Sequence, residues 1–125
     1  MGDHEPAKEL EQAATSHNER GQALADQLQF DKAIEEYSRA DALWERARSR
    51  DRRFALRNWA QALTAKKLYK DAIEKHRAAV AVKPDDAESH NSLGIALEAQ
   101  EMFDDAIAEY REAISEAAAD FSRAA

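Results

Sequence analysis

Four histidines, adjacent acids such as Asp85-Asp86 and Asp104-Asp105, and one arginine-dense stretch are residues of this 125-residue chain whose chemistry could exceed folding. Histidine can ligate a metal or move a proton near neutral pH. His4, His17, His76 and His90, however, form no His-x-x-x-His or carboxylate–His spacing that suits a zinc or iron site. Adjacent carboxylates can divide general acid and general base work. Asp85-Asp86 and Asp104-Asp105 instead stand where helices begin, and there an acid caps the helix or meets the positive end of its dipole. The stretch Arg46-Ala47-Arg48-Ser49-Arg50-Asp51-Arg52-Arg53 could contact phosphates. The aromatics near it, Trp44, Phe54 and Trp59, fall on core-type spacing rather than interleaving for base stacking. A solvated linker, salt-bridged to acidic neighbours, accounts for it better than nucleic-acid binding, which stays a minor alternative. No Gly-rich phosphate loop, Gly-x-Ser-x-Gly elbow or dinucleotide fingerprint occurs. With no Cys there is neither a disulfide nor a thiolate nucleophile or ligand. The expectation is a protein that is not an enzyme, with no catalytic residues, no metal site and no cofactor.

The elements that carry these residues are helical. Ala, Glu, Arg, Lys, Gln and Leu dominate, with 28 Ala against two Val, three Gly and two Pro. These are strong helix formers, and the turn-rich composition of a sandwich or barrel is missing. The net charge of −7 is unevenly spread: residues 1–45 carry −7, residues 46–83 carry +9 and residues 84–125 carry −9. The acidic flanks would repel a polyanion that approached the basic middle. No run approaches the ~18 apolar residues of a membrane span, and Met-Gly-Asp-His-Glu-Pro is no secretory signal. A soluble, cytoplasmic single domain is expected over 1–125.

The strongest signal is internal repetition. A shift of 34 places Leu63 on Leu97, Tyr69 on Phe103, Asp71-Ala72-Ile73 on Asp105-Ala106-Ile107, and His76 on Tyr110. A shift of 39 places Phe30, Ala33, Ile34, Tyr37 and Ala40 on Tyr69, Ala72, Ile73, His76 and Ala79, so about five extra residues separate the first two copies. Each copy reads as two helices, because apolar residues recur at helical spacing on either side of a break. Gly21, Ala60 and Gly94 on the first helices, with Ala33, Ala72 and Ala106 on the second, are small where paired helices must approach. In the insert, Tyr37, Ala40, Trp44 and Ala47 keep helical spacing, which lengthens that helix. Arginines four apart then repel by a few tenths of a kcal/mol each and favour a break near Ser49-Arg50-Asp51.

This pattern of Leu, Gly, Ala, aromatic and Pro resembles the tetratricopeptide repeat (TPR) family over roughly residues 14–118. Phe30-Asp31-Lys32-Ala33-Ile34-Glu35-Glu36-Tyr37-Ser38-Arg39-Ala40 looks like the second helix of such a unit. The resemblance implies an all-α, right-handed α-solenoid of three helix–turn–helix repeats, with six to seven helices. Repeat one spans about 14–47 with a helical extension over 6–13, after a frayed tail at 1–5. The Arg-rich insert occupies 48–52, repeat two about 53–86 and repeat three about 87–120. Three positions depart from the pattern: Arg20 stands where Trp59 and Leu93 are apolar, Asp41 where Val80 and Ile114 are apolar, and Ala118 where Pro84 ends the previous copy. Equivalent places two repeats apart put His17 and His90 on the order of 20 Å from each other, from neighbouring-helix spacings of ~8–10 Å, so they share no ion.

The resemblance also implies a concave groove, formed by the first helix of each repeat, that takes a peptide or helix of a partner protein. Aligned copies place Asn18, Glu19, Gln22 and Asp26 of repeat one there, then Phe54, Arg57, Asn58, Gln61 and Thr64, then Glu88, Asn91, Ser92, Ile95 and Glu98. Of these, Asn18, Gln22, Phe54, Arg57, Asn58, Gln61, Asn91, Ile95 and Glu98 are the candidate ligand-binding residues. An amide side chain both donates to and accepts from an extended backbone. One TPR subclass grips acidic chaperone tails with a clamp of Lys, Arg and Asn, and only Asn58 matches it here. Asn18, Glu88 and Ser92 stand where cations are needed, so a neutral, amphipathic or basic segment is the expected partner. Beyond the third repeat the stripe Tyr110, Ile114, Ala117, Ala118 and Phe121 continues without a further capping helix. That implies a longer parent protein or a homo-oligomer that buries Ile114 and Phe121, and self-assembly is the alternative function.

Overall fold

The computed structural model describes residues 6–124; the tail expected at 1–5, with His4, lies outside them. The described residues form six helices and no strand: α1 (Ala7–Asp26), α2 (Phe30–Arg46), α3 (Arg52–Ala65), α4 (Tyr69–Val82), α5 (Ala87–Ala99) and α6 (Phe103–Ala124). Consecutive helices pack as hairpins, α1 on α2, α3 on α4 and α5 on α6, and each hairpin leans on the next through α2–α3 and α4–α5. Beyond these neighbours only the first helices touch, α1 with α3 and α3 with α5. They line one side of the stack, as a solenoid of nearest-neighbour contacts requires.

The alanines explain the close stacking. Ala14, Ala40, Ala55 and Trp44 make one buried cluster; Ala33, Tyr37 and Ala62 make the next. Ala60, Leu63 and Ala72 form a third, and Leu93, Leu97 and Ala106 a fourth. Each fully buried leucine contributes about 1.5–3 kcal/mol relative to exposure. The core is therefore a chain of small clusters, one after another along the stack. At its far end α6 leaves Ile107, Ile114 and Phe121 exposed, the last two by 69% and 78%.

Four of the five helix-to-helix connections end alike, without glycine. The N–H of Gln29 donates to Leu24 O (2.9 Å) and that of Leu28 to Ala25 O (2.9 Å). The same pair of bonds closes α2 at Ser49 and Arg48, α3 at Leu68 and Lys67, and α5 at Met102 and Glu101. This is the Schellman cap, whose turning residue adopts a left-handed backbone. Leu28, Arg48, Lys67 and Glu101 take it, at φ 62°, 56°, 65° and 61°.

One local expectation needs correcting. Asp86 stands at the N-cap of α5, but its side chain bonds no backbone N–H of that helix. Its carboxylate instead accepts from Ser89 Oγ (2.6 Å) and from Arg53 Nε of α3 (3.1 Å). Across the repeat boundary the guanidinium of Arg53, itself charged, takes the carboxylate in place of the backbone amides.

Candidate binding groove

Helices α1, α3 and α5 present their candidate residues along one side, but the structure gathers only some of them. Arg57, Asn58 and Gln61 of α3 face Glu88, Asn91 and Ser92 of α5 across a polar hollow. Asn18 of α1 joins this row through Asn58, whose Nδ2 donates to Asn18 Oδ1 (3.0 Å). Ile95 and Gln61 line a second, more apolar hollow beside it, with Thr64, Ser92, Ala96 and Ala99 around it and His76 as its floor. Phe54, Gln22 and Glu98 line neither hollow. The Phe54 ring packs on the cluster of Trp44 and Ala55 and lies beneath two guanidinium groups, Arg53 at 4.2 Å and Arg57 at 5.4 Å. Glu98 accepts a hydrogen bond from the Tyr110 hydroxyl (2.6 Å).

Arg52, Arg53 and Arg57, at the start of α3, are committed to acids of this chain. Arg52 donates to Asp41 (2.9 Å) and approaches Glu45 (3.6 Å). That pairing explains a carboxylate at a place where the other repeats carry Val80 and Ile114. It also holds the Arg52 guanidinium in its charged form: the hydrogen bond to Asp41 and the negative charge of Asp41 and Glu45 outweigh burial. Arg53 and Arg57, four apart on α3, both reach Asp86 at 3.1 and 3.6 Å, and Arg57 also reaches Glu88 at 3.3 Å. Burial opposes charge on Asp86, yet the bond from Ser89 and the cations Arg53, Arg57 and Lys83 keep its pKa below the usual value. Arg57 is thus a cation already neutralised within the hollow it lines.

The histidines divide into two kinds. His17 donates from Nδ1 to Glu36 (2.6 Å), and His90 from Nδ1 to Glu109 (2.7 Å), each across its hairpin to a residue 19 further on. Glu36 is also held by Arg39 at 3.0 Å and Arg20 at 3.7 Å, so Arg20 finds an acid rather than an apolar neighbour. The bond from His17, followed by these charges, lowers the Glu36 pKa against the opposing effect of burial. His90 has a second acceptor, Pro84 O at 2.6 Å from Nε2. Two acceptors on the two ring nitrogens are satisfied only by the imidazolium. Burial pushes the His90 pKa down, but these bonds and the charges of Glu109 and Glu112 push it up further. His76 is the opposite case. It is 4% exposed, its Nδ1 has no partner, and burial together with nearby Arg57 lowers its pKa to about 4. In repeat two the places of the His–Glu pair hold Leu56, which is buried, and Lys75, whose ammonium sits 3.8 Å over the Trp59 ring.

Spacing along the sequence does not announce the His–Glu pairs. Their signal is a His and a Glu 19 apart in both outer repeats, which only a hairpin register brings together. Among the described residues no group of three or more His, Cys, Asp or Glu could hold a metal ion. Nor is any described helix long and apolar enough to cross a membrane.

Comparison with known proteins bears on the fold. Residues 60–101 match the sequence profile of the TPR repeat family. The crystal structure of MamA superposes with a TM-score of 0.76 at 21% identity over 88% of this chain. The chain has the fold of a TPR solenoid. It spans 61% of that MamA chain. The TPR domain of Arabidopsis FLU superposes at 0.74 with 18% identity, covering 91% of this solenoid and 99% of the FLU domain. The second TPR of Spaghetti (RPAP3), solved bound to the HSP90 peptide SRMEEVD, superposes at 0.72 with 19% identity over 86% of this chain and 95% of its own. Comparison with curated proteins finds no match. The TPR fold supports a protein–protein interaction module in general terms.

Proposed function

We propose that this TPR solenoid is an adaptor that holds an extended or helical segment of a partner protein in the groove between α3 and α5, with Asn18 and Asn58 continuing it toward α1. The observation that carries the reading is the polar hollow, where Asn58, Gln61, Asn91 and Ser92 converge from two helices. These groups can both donate to and accept from a peptide backbone. A neighbour of the same fold was solved with a peptide bound, which supports peptide binding as a use of the fold. The charge argues against an acidic tail. Arg57 is already paired with Asp86 and Glu88, so the cation that lines the hollow is neutralised by acids of this chain. A neutral, amphipathic or basic segment needs no cation there.

Peptides selected from a random display library against the whole chain should test this. Asn58→Ala or Asn91→Ala should weaken the selected peptides about ten-fold or more, roughly 1.4 kcal/mol, with helicity unchanged. Peptides indifferent to both substitutions would remove the groove assignment.

A second reading has its own observation. The exposed stripe Ile107, Ile114 and Phe121 on α6 is where a self-associating copy would dock. A molar mass that stays monomeric from micromolar to near-millimolar concentration would eliminate it.

A further inference from the structure

The apolar hollow floored by His76 marks a position where repeat two differs from its neighbours. The same place holds Tyr37 in repeat one and Tyr110 in repeat three, each 16 residues after the small residue it packs on. Built onto Gly21, a Cβ would lie 2.5 Å from Tyr37 Cε1; on Gly94 it would lie 2.7 Å from Tyr110 Cε1. Repeat two has Ala60 in place of the glycine and the shorter His76 in place of the tyrosine.

At the junction of repeats one and two, the Tyr37 ring fills the space against Ala62, with Leu24 and Ala25 beside it. The equivalent of Ala62 at the next junction is Ala96, and the equivalent of Ala25 is Thr64. There the structure has a hollow of about 240 Å³ in place of a ring, lined by Ala96, Thr64, Ile95 and His76. Gln61 and Ser92 at its edge belong to both hollows, so it opens onto the groove.

We propose that this hollow is a side-chain pocket for a tyrosine of the bound partner segment. Space is the first argument: the pocket occupies the place that a tyrosine of this chain fills one junction earlier. The second is polarity. Thr64 stands where Glu98 accepts the Tyr110 hydroxyl in repeat three. Its Oγ1 donates to Ala60 O (3.0 Å), which leaves its lone pairs for an incoming phenol. The third is charge: at neutral pH His76 is uncharged, so an aromatic ring settles on an uncharged floor between alanine and isoleucine walls.

The proposal rests on the groove reading, but the two fail separately. The probe is p-cresol, the tyrosine side chain alone, titrated into the full methyl-labelled chain and followed by NMR. The methyl signals of Thr64, Ala96 and Ala99 should move with a dissociation constant on the order of 1 mM, as expected for so small a probe. Toluene, which lacks the hydroxyl, should bind several-fold more weakly. The double variant Ala60→Gly/His76→Tyr rebuilds the outer-repeat arrangement and should abolish the shifts. Ala96→Leu blocks the pocket from α5 and should do the same if the double variant unfolds. Shifts that persist in the filled chains, that appear only along α6, or that toluene reproduces at equal strength would overturn the assignment. Loss of peptide binding in Asn58→Ala without any response to p-cresol would remove the pocket and keep the groove.

Discussion

Adding one methyl group at Gly21 should destabilise the chain, whereas the same change at Gly94 should not. The new Cβ at residue 21 would lie 2.5 and 2.7 Å from two carbons of the Tyr37 ring. Ordinary carbon contacts lie at about 3.5–4.0 Å, so the ring must retreat by roughly 1 Å. It has nowhere to go: Tyr37 is 2% exposed and packed against Ala33 and Ala62. Overpacking of this kind costs about 1–3 kcal/mol, against about 1 kcal/mol gained by replacing glycine with alanine in a helix. For a ring this confined the net loss should be about 1–2 kcal/mol. At Gly94 the clash is similar, 2.7 and 2.8 Å from Tyr110, but that ring is only half-buried. It can swing, so the two effects should cancel to within about 0.5 kcal/mol. Thermal unfolding followed by circular dichroism would read Gly21→Ala as a fall of about 4–8 °C, from the ordinary per-residue unfolding entropy. Repeat two shows the cure, because Ala60 coexists with His76. In a Tyr37→His background, Gly21→Ala should therefore become nearly free, a coupling of about 1–2 kcal/mol between the two sites. Equal effects at Gly21 and Gly94, or no coupling with residue 37, would refute this account of the hairpin contact.

Three further outcomes follow from the same geometry. His76 has a pKa near 4 in the fold and about 6.5 when unfolded, so its contribution is intact above pH 6.5 and fades as pH falls toward 4. Over that window the chain should lose roughly 3 kcal/mol on this account, and Ala60→Gly/His76→Tyr should flatten that part of the stability–pH curve measured by urea unfolding. Lys67→Gly and Glu101→Gly, which relieve left-handed backbone at φ 65° and 61°, should each raise stability by about 1 kcal/mol, seen as a higher melting temperature. Asp86→Ala leaves Arg53, Arg57 and Ser89 without their shared acceptor and should cost about 1–3 kcal/mol, whereas Asp85→Ala should change the urea midpoint little.

The helices and the all-α stack were legible because they rest on periodicity that repeats along the chain. Gly21 and Gly94 were readable as close-approach points, since a small residue recurs where a large one would jam. The turns were not readable in this way. A Schellman cap is normally announced by glycine, and Leu28, Arg48, Lys67 and Glu101 carry no such mark. The hydrogen-bond pattern rather than the residue type identifies them. The His17–Glu36 and His90–Glu109 pairs escaped because a hairpin contact joins residues 19 apart that share no helix face. Phe54 was aligned with groove positions by repeat register alone. Two neighbouring arginines and the Trp44 cluster claim its ring, and register contains no information about such competition.

The contrast between the middle hairpin and the outer two has a consequence for length. Suppose the array were extended by duplicating a unit. A copy of repeat one would carry its own ring to the new junction and close it. A copy of repeat two would bring an alanine and a histidine instead, and open one more hollow a repeat's width along the stack. The spacing of such hollows would then be counted in whole repeats, so the solenoid would serve as a ruler whose graduations are set by which hairpin is copied.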